Sequence, residues 1–256
     1  MKKQLIILGS GNSTGVPRID GFWGNCNKNN KKNIRTRCSA IIMKGENSVL
    51  IDTSPDIRYQ LVNNNIKNIS SVIYTHEHSD QTNGLFELRP FYWKNKKKIN
   101  IYGTSKTVKN LKKRFDYCFK NSSYYPSIVK GNIIKSKFIL GHSKEKILFK
   151  TVQVKHGLVK SLAYIFENTA YISDCNDLSI VNVKAFKNLK YLILDCLKMK
   201  DNWAHFSLAE SLYVHFHLKP KKTILTNLHP DLDYDFLLQR LPNNVLPAYD
   251  GLKLKL

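Results

Sequence analysis

A mixed α/β fold (α+β in its sheet content) is expected from three observations on this 256-residue chain. Short, β-branched apolar runs alternate with segments of helical pattern, as in α/β domains. Several of those runs come in pairs joined only by a turn, so some strands pair antiparallel and the sheets are mixed. Strand after strand also leaves a His or Asp at its tip, at 76/78/80, at 156, at 174 and at 227–229. A site assembled from loops along one sheet edge has this appearance. No repeat or linker divides the chain, so a single domain over residues 1–256 is expected.

Leu5 to Leu8 reads as the first strand and runs into Gly9-Ser10-Gly11-Asn12-Ser13-Thr14-Gly15-Val16-Pro17. That spacing matches neither G-x-G-x-x-G nor the Walker pattern, and no helical segment follows. A tight turn near a site is expected rather than a phosphate cradle. Residues 18–37 are polar and irregular and read as a long surface loop, a candidate cover for the site mouth; Cys26 within it is at most a remnant metal ligand. Cys38 to Met43 and Ser48 to Asp52 form a hairpin, and a helix over Ile57 to Asn63 follows, with Ser54 as N-cap and Pro55 in its first turn. A strand over 71–75 precedes Thr75-His76-Glu77-His78-Ser79-Asp80-Gln81, and Asn83-Gly84 breaks the chain before a short helix interrupted at Pro90. Lys98 to Tyr102 is a strand and Lys106 to Cys118 helical. Lys146 to Val154 alternates like a strand and delivers His156-Gly157. Leu162 to Phe166 and Thr169 to Ile172 make a hairpin ending at Ser173-Asp174-Cys175. Leu189 to Leu194 is a buried strand ending at Asp195. Ser207 with Glu210 is a capping box, which starts a helix reaching about His217 and leaves His205 just outside its N-terminus, a place that favours anions. Lys222 to Thr226 is a strand, Asp233 to Arg240 a helix with Asp233 as N-cap, and Tyr249 to Leu256 the last strand.

Forty-one basic residues stand against 19 acidic ones, for a net charge of +22. Such a surface attracts phosphate-rich partners. Lysines spread through Lys/Asn/Ile-rich stretches also fit compositional drift, and no arginine–aromatic interleaving marks a groove. Five widely spaced cysteines with no C-x-x-C, and no signal-like N-terminus, point to reduced thiols in a cytoplasmic protein. No segment approaches membrane-spanning length.

The chemistry concentrates in His76-x-His78-x-Asp80. Two histidines two apart on extended chain present their rings to the same side. Imidazole suits Zn, Mn or Fe, and a nearby carboxylate helps hold a second ion. A polar loop at a strand end is the plain alternative; further histidines at later loop positions favour a metal site. His142, in a Gly-Ser turn, and His215 and His217, which face apart on a helix, read as structural or solvent-facing. Asp231-x-Asp233-x-Asp235 lacks the glycine and the closing glutamate of a calcium loop. Cys175 beside Asp174 reads as packing.

On His76-x-His78-x-Asp80, His156-Gly157 and Asp174, together with Gly9-Ser10-Gly11 and Tyr249-Asp250-Gly251, nearly the whole chain resembles the metallo-β-lactamase superfamily of hydrolases. It is most similar there to phosphoribosyl cyclic phosphate phosphodiesterases and tRNase Z-like nucleases. The resemblance implies a four-layer αββα sandwich with the site at the sheet edge. It implies that His76, His78 and His156 hold a first metal, that Asp174 bridges two ions, and that Asp80 binds the second. His205 would contact the phosphate or protonate the leaving oxygen, and is counted with Asp80 as catalytic. The family has His where this chain has Gln81 and Asn227, both at the second metal. Their carbonyl oxygens are harder ligands, so the second position is expected to be weak, empty, or filled by a hard ion such as Mn²⁺, with His229 a substitute two residues off register. The cofactor expected is Zn²⁺ or Mn²⁺, one ion firmly held.

The activity expected is hydrolysis of a cyclic or small phosphodiester by hydroxide from metal-acidified water. An RNA nuclease and a degenerate, non-enzymatic metal-binding scaffold are the alternatives. A small phosphodiester is the expected partner, RNA the second, with no membrane and a homodimer left open.

Overall fold

Leu5 and Ile7 leave the first strand on one side and Ile6 and Leu8 on the other, and all four are buried. A strand covered on both faces belongs to a sheet sandwiched between layers. The computed structural model, which describes residues 3–178 and 183–256, has that arrangement. Its strands are β1 (Lys3–Gly9), β2 (Ser39–Lys44), β3 (Asn47–Ile51), β4 (Ser71–Ile73), β5 (Ile99–Gly103), β6 (Val129–Ile133), β7 (Lys137–Leu140), β8 (Ile147–His156), β9 (Val159–Phe166), β10 (Thr169–Ile172), β11 (Tyr191–Asp195), β12 (Lys222–Thr226), β13 (Val245–Pro247) and β14 (Leu252–Lys255). The α-helices are α1 (Ile57–Asn63), α2 (Ser79–Thr82), α3 (Arg89–Asn95), α4 (Ser105–Arg114), α5 (Asp116–Phe119), α6 (Leu208–Leu218) and α7 (Tyr234–Arg240).

One sheet runs β14-β1-β2-β3-β4-β5-β6 and the other β13-β12-β11-β10-β9-β8-β7. Each is mixed. In the first, β14 to β3 pair antiparallel and β3 to β6 parallel. In the second, β7 to β10 pair antiparallel and β10 to β13 parallel. Between the sheets lies a core that includes Leu5, Ile7, Ile51 and Ile73 from one and Phe149, Tyr164, Tyr171 and Ile193 from the other. The outer face of the first sheet packs with Ile57, Leu61, Leu85 and Leu111. That of the second packs with Phe206 and Val214, and α7 adds Leu237 beside Leu225 and Val245. The expected four-layer αββα sandwich with mixed sheets is therefore present. Parallel strands with shared direction leave their carboxyl ends along one edge, which is where β4, β8, β10, β11 and β12 deliver His76, His156, Asp174, Asp195 and Asn227.

The differences from expectation are local. β6, β7 and β13 were not anticipated. All three are edge strands, where one side is unpaired and the apolar alternation relaxes: β6 carries Gly131 and Asn132, and β13 ends at Pro247. The stretch 106–118 is two helices, because Phe115 (φ −125°, ψ 41°) leaves the helical region between them. Ser54 is not the cap of α1. Its hydroxyl accepts from the Asp56 N–H at 3.2 Å in a turn, and Asp56 is the boundary residue. The capping box at Ser207 is complete on both sides, and Asp233 caps α7 by accepting from the Phe236 N–H. Residues 18–37 do not cover the site. The Asn25 N–H donates to the Pro230 carbonyl (3.0 Å). Asn33 Nδ2 donates to Asp233 (2.6 Å) and Asn30 Nδ2 to Asp235 (2.9 Å). The loop is thus held against the start of α7, and Cys26 is buried beside Arg35.

The C-terminal turn clamps two distant segments. Asp250 accepts from the Ser10 N–H (2.9 Å) and hydroxyl (2.8 Å) with Oδ1, and from the Thr36 N–H (2.7 Å) and hydroxyl (2.5 Å) with Oδ2. Replacing Asp250 by Ala strands those donors, at a cost of roughly 3 kcal/mol. Urea denaturation of Asp250→Ala should show that loss; a change below about 1 kcal/mol would show that the clamp contributes little.

Candidate metal centre

His76 follows β4 and is fully buried, whereas His78 on the same turn is exposed. Their ring centroids are 4.5 Å apart, and the His156 ring lies 5.0 and 5.1 Å from them. The tautomers follow from the partners. Thr75 donates its hydroxyl to buried Asp52 (2.9 Å), so its oxygen accepts from His76 Nδ1–H at 3.0 Å. His76 Nε2 is then the bare nitrogen, and it is buried with no hydrogen-bond partner. His156 Nδ1 lies 2.7 Å from the Ala204 carbonyl, which can only accept, so His156 Nε2 is bare as well. It faces His78 Nδ1 at 3.3 Å. One ligand atom from each of the three histidines falls within 4.8 Å of the others. Burial pushes the His76 imidazole down to about 3, so it is neutral at any ordinary pH. Three imidazoles turned inward, one of them with an orphaned nitrogen, fit a divalent cation of borderline softness.

Asp174, His156 and His205 form a second group with the same spacing. Burial opposes ionisation of Asp174, but the imidazoles of His76, His156 and His205 and the Ser173 hydroxyl at 2.6 Å hold its carboxyl below the usual range. Asp80 moves the other way, raised by burial and by the Asp174 charge. Two carboxylates in one pocket divide in this manner.

Asp195, at the tip of β11, had no role assigned from sequence, although it obeys the same strand-tip rule as the others. It is fully buried, and burial raises its carboxyl to about 6. Its Oδ2 accepts from His205 Nδ1 at 2.7 Å. Burial works against a charged His205, yet Asp195 outweighs it and lifts the imidazole to about 9. Between those values the two are an ion pair, with His205 Nε2 left for the cavity. Asp52 likewise went unnoticed. It and Asn227 adopt left-handed backbone (φ 62° and 64°) just after β3 and β12, a conformation Asp and Asn tolerate better than most residues and one concentrated at functional sites.

The residues expected at a second cation behave differently from one another. Gln81 is buried with Oε1 unpartnered while its Nε2 donates to Asp80 at 3.2 Å; its carbonyl is free. Asn227 turns its amide nitrogen, not its oxygen, to Asp195 (3.1 Å), the Ser173 carbonyl (3.0 Å) and Asp174 (3.5 Å). It also lies 3.1 Å from His205 Nδ1, but with three acceptors around it the NH₂ group fits better than the oxygen. His229 does not join the site, because its Nδ1 accepts from the Asp231 N–H at 3.2 Å and faces the Asp231 carboxylate. A cavity of about 300 Å³ opens over these groups, lined by His78, Asp80, His156, Asp174, His205 and Asn227, and also by Asn12 and Trp203. Among the described residues no helix is long and apolar enough to cross a membrane.

Residues 47–227 match the family model described as the beta-lactamase superfamily domain. The chain belongs to the β-lactamase superfamily. Among solved structures, a new diphosphatase of the PhnP family is 30% identical and superposes with a TM-score of 0.89, covering 100% of this chain and 98% of the other. Zn²⁺-bound PqqB from Methylobacterium extorquens is 17% identical at a TM-score of 0.80, covering 99% and 100%. Human short-form tRNase Z is 14% identical at 0.69, covering 98% of each chain. At these lower identities the likeness is one of fold. An octanoyltransferase of Porphyromonas gingivalis is 26% identical over 254 residues, 98% of this chain; the chain spans about half the length of that relative, 51%. As a superfamily member with this site, the chain is a metal-dependent hydrolase.

The raised His205 couples to stability with a definite sign. A folded pKa of about 9 above an unfolded one near 6.5 stabilises the fold fully below 6.5, and that contribution is lost as pH rises through 9. Urea denaturation of metal-free protein at pH 7 and 10 should show wild type losing on the order of 2 kcal/mol more than His205→Gln. Equal losses would mean that the ion pair does not form.

Proposed function

We propose that this superfamily hydrolase is a phosphodiesterase acting on a cyclic or small phosphodiester, through one domain over residues 1–256. His76 Nε2, His78 Nδ1 and His156 Nε2 would hold a first divalent cation, Zn²⁺ or Mn²⁺, with Asp174 beside it. The observation that carries this proposal is the convergence of three imidazoles, with His76 Nε2 unpartnered and the Nδ1 atoms of His76 and His156 pinned elsewhere, next to the Asp195–His205 ion pair. A cation bound there supplies Lewis acidity toward a phosphoryl oxygen and acidifies water. The chain's own residues do the rest. His205, protonated between about 6 and 9, balances charge on the phosphoryl oxygens or gives its Nε2 proton to the departing oxygen. Asp80, whose carboxyl burial and Asp174 push upward, accepts a proton from water or joins the second cation. Gln81 Oε1 is an unpartnered oxygen for that second ion, while Asn227 donates N–H to the carboxylates, as a cation would. The second position is therefore proposed to be weak and to favour a hard ion, with one firmly held ion per chain. The PhnP-family diphosphatase, at 30% identity over the whole chain, supports phosphate-ester chemistry. Five free, buried cysteines support a reducing, cytoplasmic setting.

Chelated protein should lose hydrolysis of bis(p-nitrophenyl) phosphate and regain it with Zn²⁺ or Mn²⁺ at a ratio near one ion. His156→Ala should lose metal and activity together. His205→Ala should keep the metal and lose about 100-fold or more in kcat. Metal loss in His205→Ala would make His205 a ligand and overturn its proposed role.

An RNA substrate is favoured by one further observation. The Arg89 guanidinium lies 4.3 Å from the Phe86 ring centroid, 5.1 Å from Tyr125 and 5.8 Å from Trp93, and all three aromatics are exposed. Contrary to the expectation from sequence, arginine and aromatics do interleave here, Phe86, Arg89 and Trp93 being three and four residues apart and Tyr125 joining from a distant segment, as on single-strand binding surfaces. Binding of a labelled single-stranded RNA should then weaken steeply with salt, and further in Arg89→Ala. A flat salt response would leave the +22 charge as composition.

A further inference from the structure

We propose that Trp203 and Leu158 form a stacking wall for the base of a nucleotide-type substrate, so that the diester hydrolysed here carries a nucleoside and is not a bare sugar phosphate. The proposal rests on the phosphodiesterase function above and names its substrate class. Both side chains line the cavity that holds His78, His156, Asp174 and His205. Leu158 is 94% exposed and Trp203 70%, so two large apolar side chains stand open to a ligand at the same cavity.

Trp203 is held in place. Gly157, in left-handed backbone (φ 54°), sits against Cε3, Cζ3 and Cη2 of the indole, and a Cβ there would occupy the space of the benzo ring. The next residue, Ala204, gives its carbonyl to His156 Nδ1 (2.7 Å) and its N–H to Asn202 Oδ1 (2.9 Å). The contact that orients a metal-facing histidine therefore also fixes the indole beside the cavity.

Val159 and Leu197 add to the apolar part of the cavity, and Asn12, Ser13, Asp80 and Asn227 bring polar groups to it. An alkyl chain would cover the indole but take water from those polar groups and return no hydrogen bonds. A heterocycle stacks a face on Trp203 and offers polar edges to the other side. The reaction needs no co-reactant beyond water. Its oxygen bonds to phosphorus, the ester P–O bond breaks, one proton goes to the departing oxygen and the other to solvent, leaving a monoester.

Two substrates that differ only in the base test this: adenosine 2′,3′-cyclic phosphate and 1-O-methylribose 2,3-cyclic phosphate, each with metal-loaded protein. Wild type should favour the adenosine compound by about 10-fold or more in kcat/KM. Trp203→Ala should bring that ratio to within about threefold, Trp203→Phe should retain most of it, and Leu158→Ala, at a site exposed enough to spare the fold, should lower it about threefold. A ratio unmoved by Trp203→Ala, or a wild type that prefers the base-free compound, overturns the wall. If wild type hydrolyses neither compound, the phosphodiesterase function fails, and the wall is judged by calorimetric titration with adenosine monophosphate. Affinity weakened about 10-fold in Trp203→Ala supports it, and equal affinity or no binding overturns it. Turnover of p-nitrophenyl octanoate that Trp203→Ala impairs, with no adenosine preference, makes the wall an acyl site and also overturns it.

Discussion

His156 can turn only one nitrogen inward because the other is committed to the Ala204 carbonyl, and much of the site follows from that commitment. The carbonyl belongs to the segment between β11 and α6, which also carries Trp203 on one side and His205 on the other. A single hydrogen bond thus joins the metal-facing ring, the apolar lip of the cavity and the candidate proton donor into one unit. His76 is held by the same logic in a longer form, through the Thr75 hydroxyl to Asp52. Rings oriented this way need no reorganisation when a cation arrives.

The sandwich supplies the geometry for those contacts. Two mixed sheets share one core, and the carboxyl ends of β4, β8, β10, β11 and β12 open at the same edge. Each of His76, His156, Asp174, Asp195 and Asn227 lies at the end of its strand or at most three residues beyond it. Asp52 and Asn227 make the sharpest exits, one from each sheet, in left-handed backbone.

Charge is distributed unusually. A chain of net charge +22 gathers Asp52, Asp80, Asp174 and Asp195 around its histidines. Burial raises most of these carboxyls, and Asp174 escapes because imidazoles surround it. The Asn227 amide lies between Asp174 and Asp195 and donates to both. It lowers the repulsion between these carboxylates that a cation would otherwise relieve.

Much of this was legible in the chain. Continuous β-branched apolar runs mark the inner strands, the His-x-His-x-Asp spacing marks the ring cluster, and Ser207 with Glu210 marks the start of α6, because each signal is carried by neighbours in sequence. The edge strands β6, β7 and β13 were not legible, since an edge relaxes the pattern that announces a strand. Nor was the place of Tyr125 in the Arg89 cluster, since it comes from a segment distant from Phe86, Arg89 and Trp93. The sequence by itself determined the alternation of strands and helices and the His-x-His-x-Asp spacing, and its family resemblance carried the expectation of the sandwich and of His156 and Asp174 beside those histidines. Only the tertiary structure decided that Asp195 partners His205, that Asn227 presents nitrogen and not oxygen, that His229 turns away to Asp231, and that Trp203 lies on Gly157. Each of those is a choice of rotamer or partner made across two elements distant in sequence, and such choices are set by which acceptors and which empty volumes the packed sheets bring together.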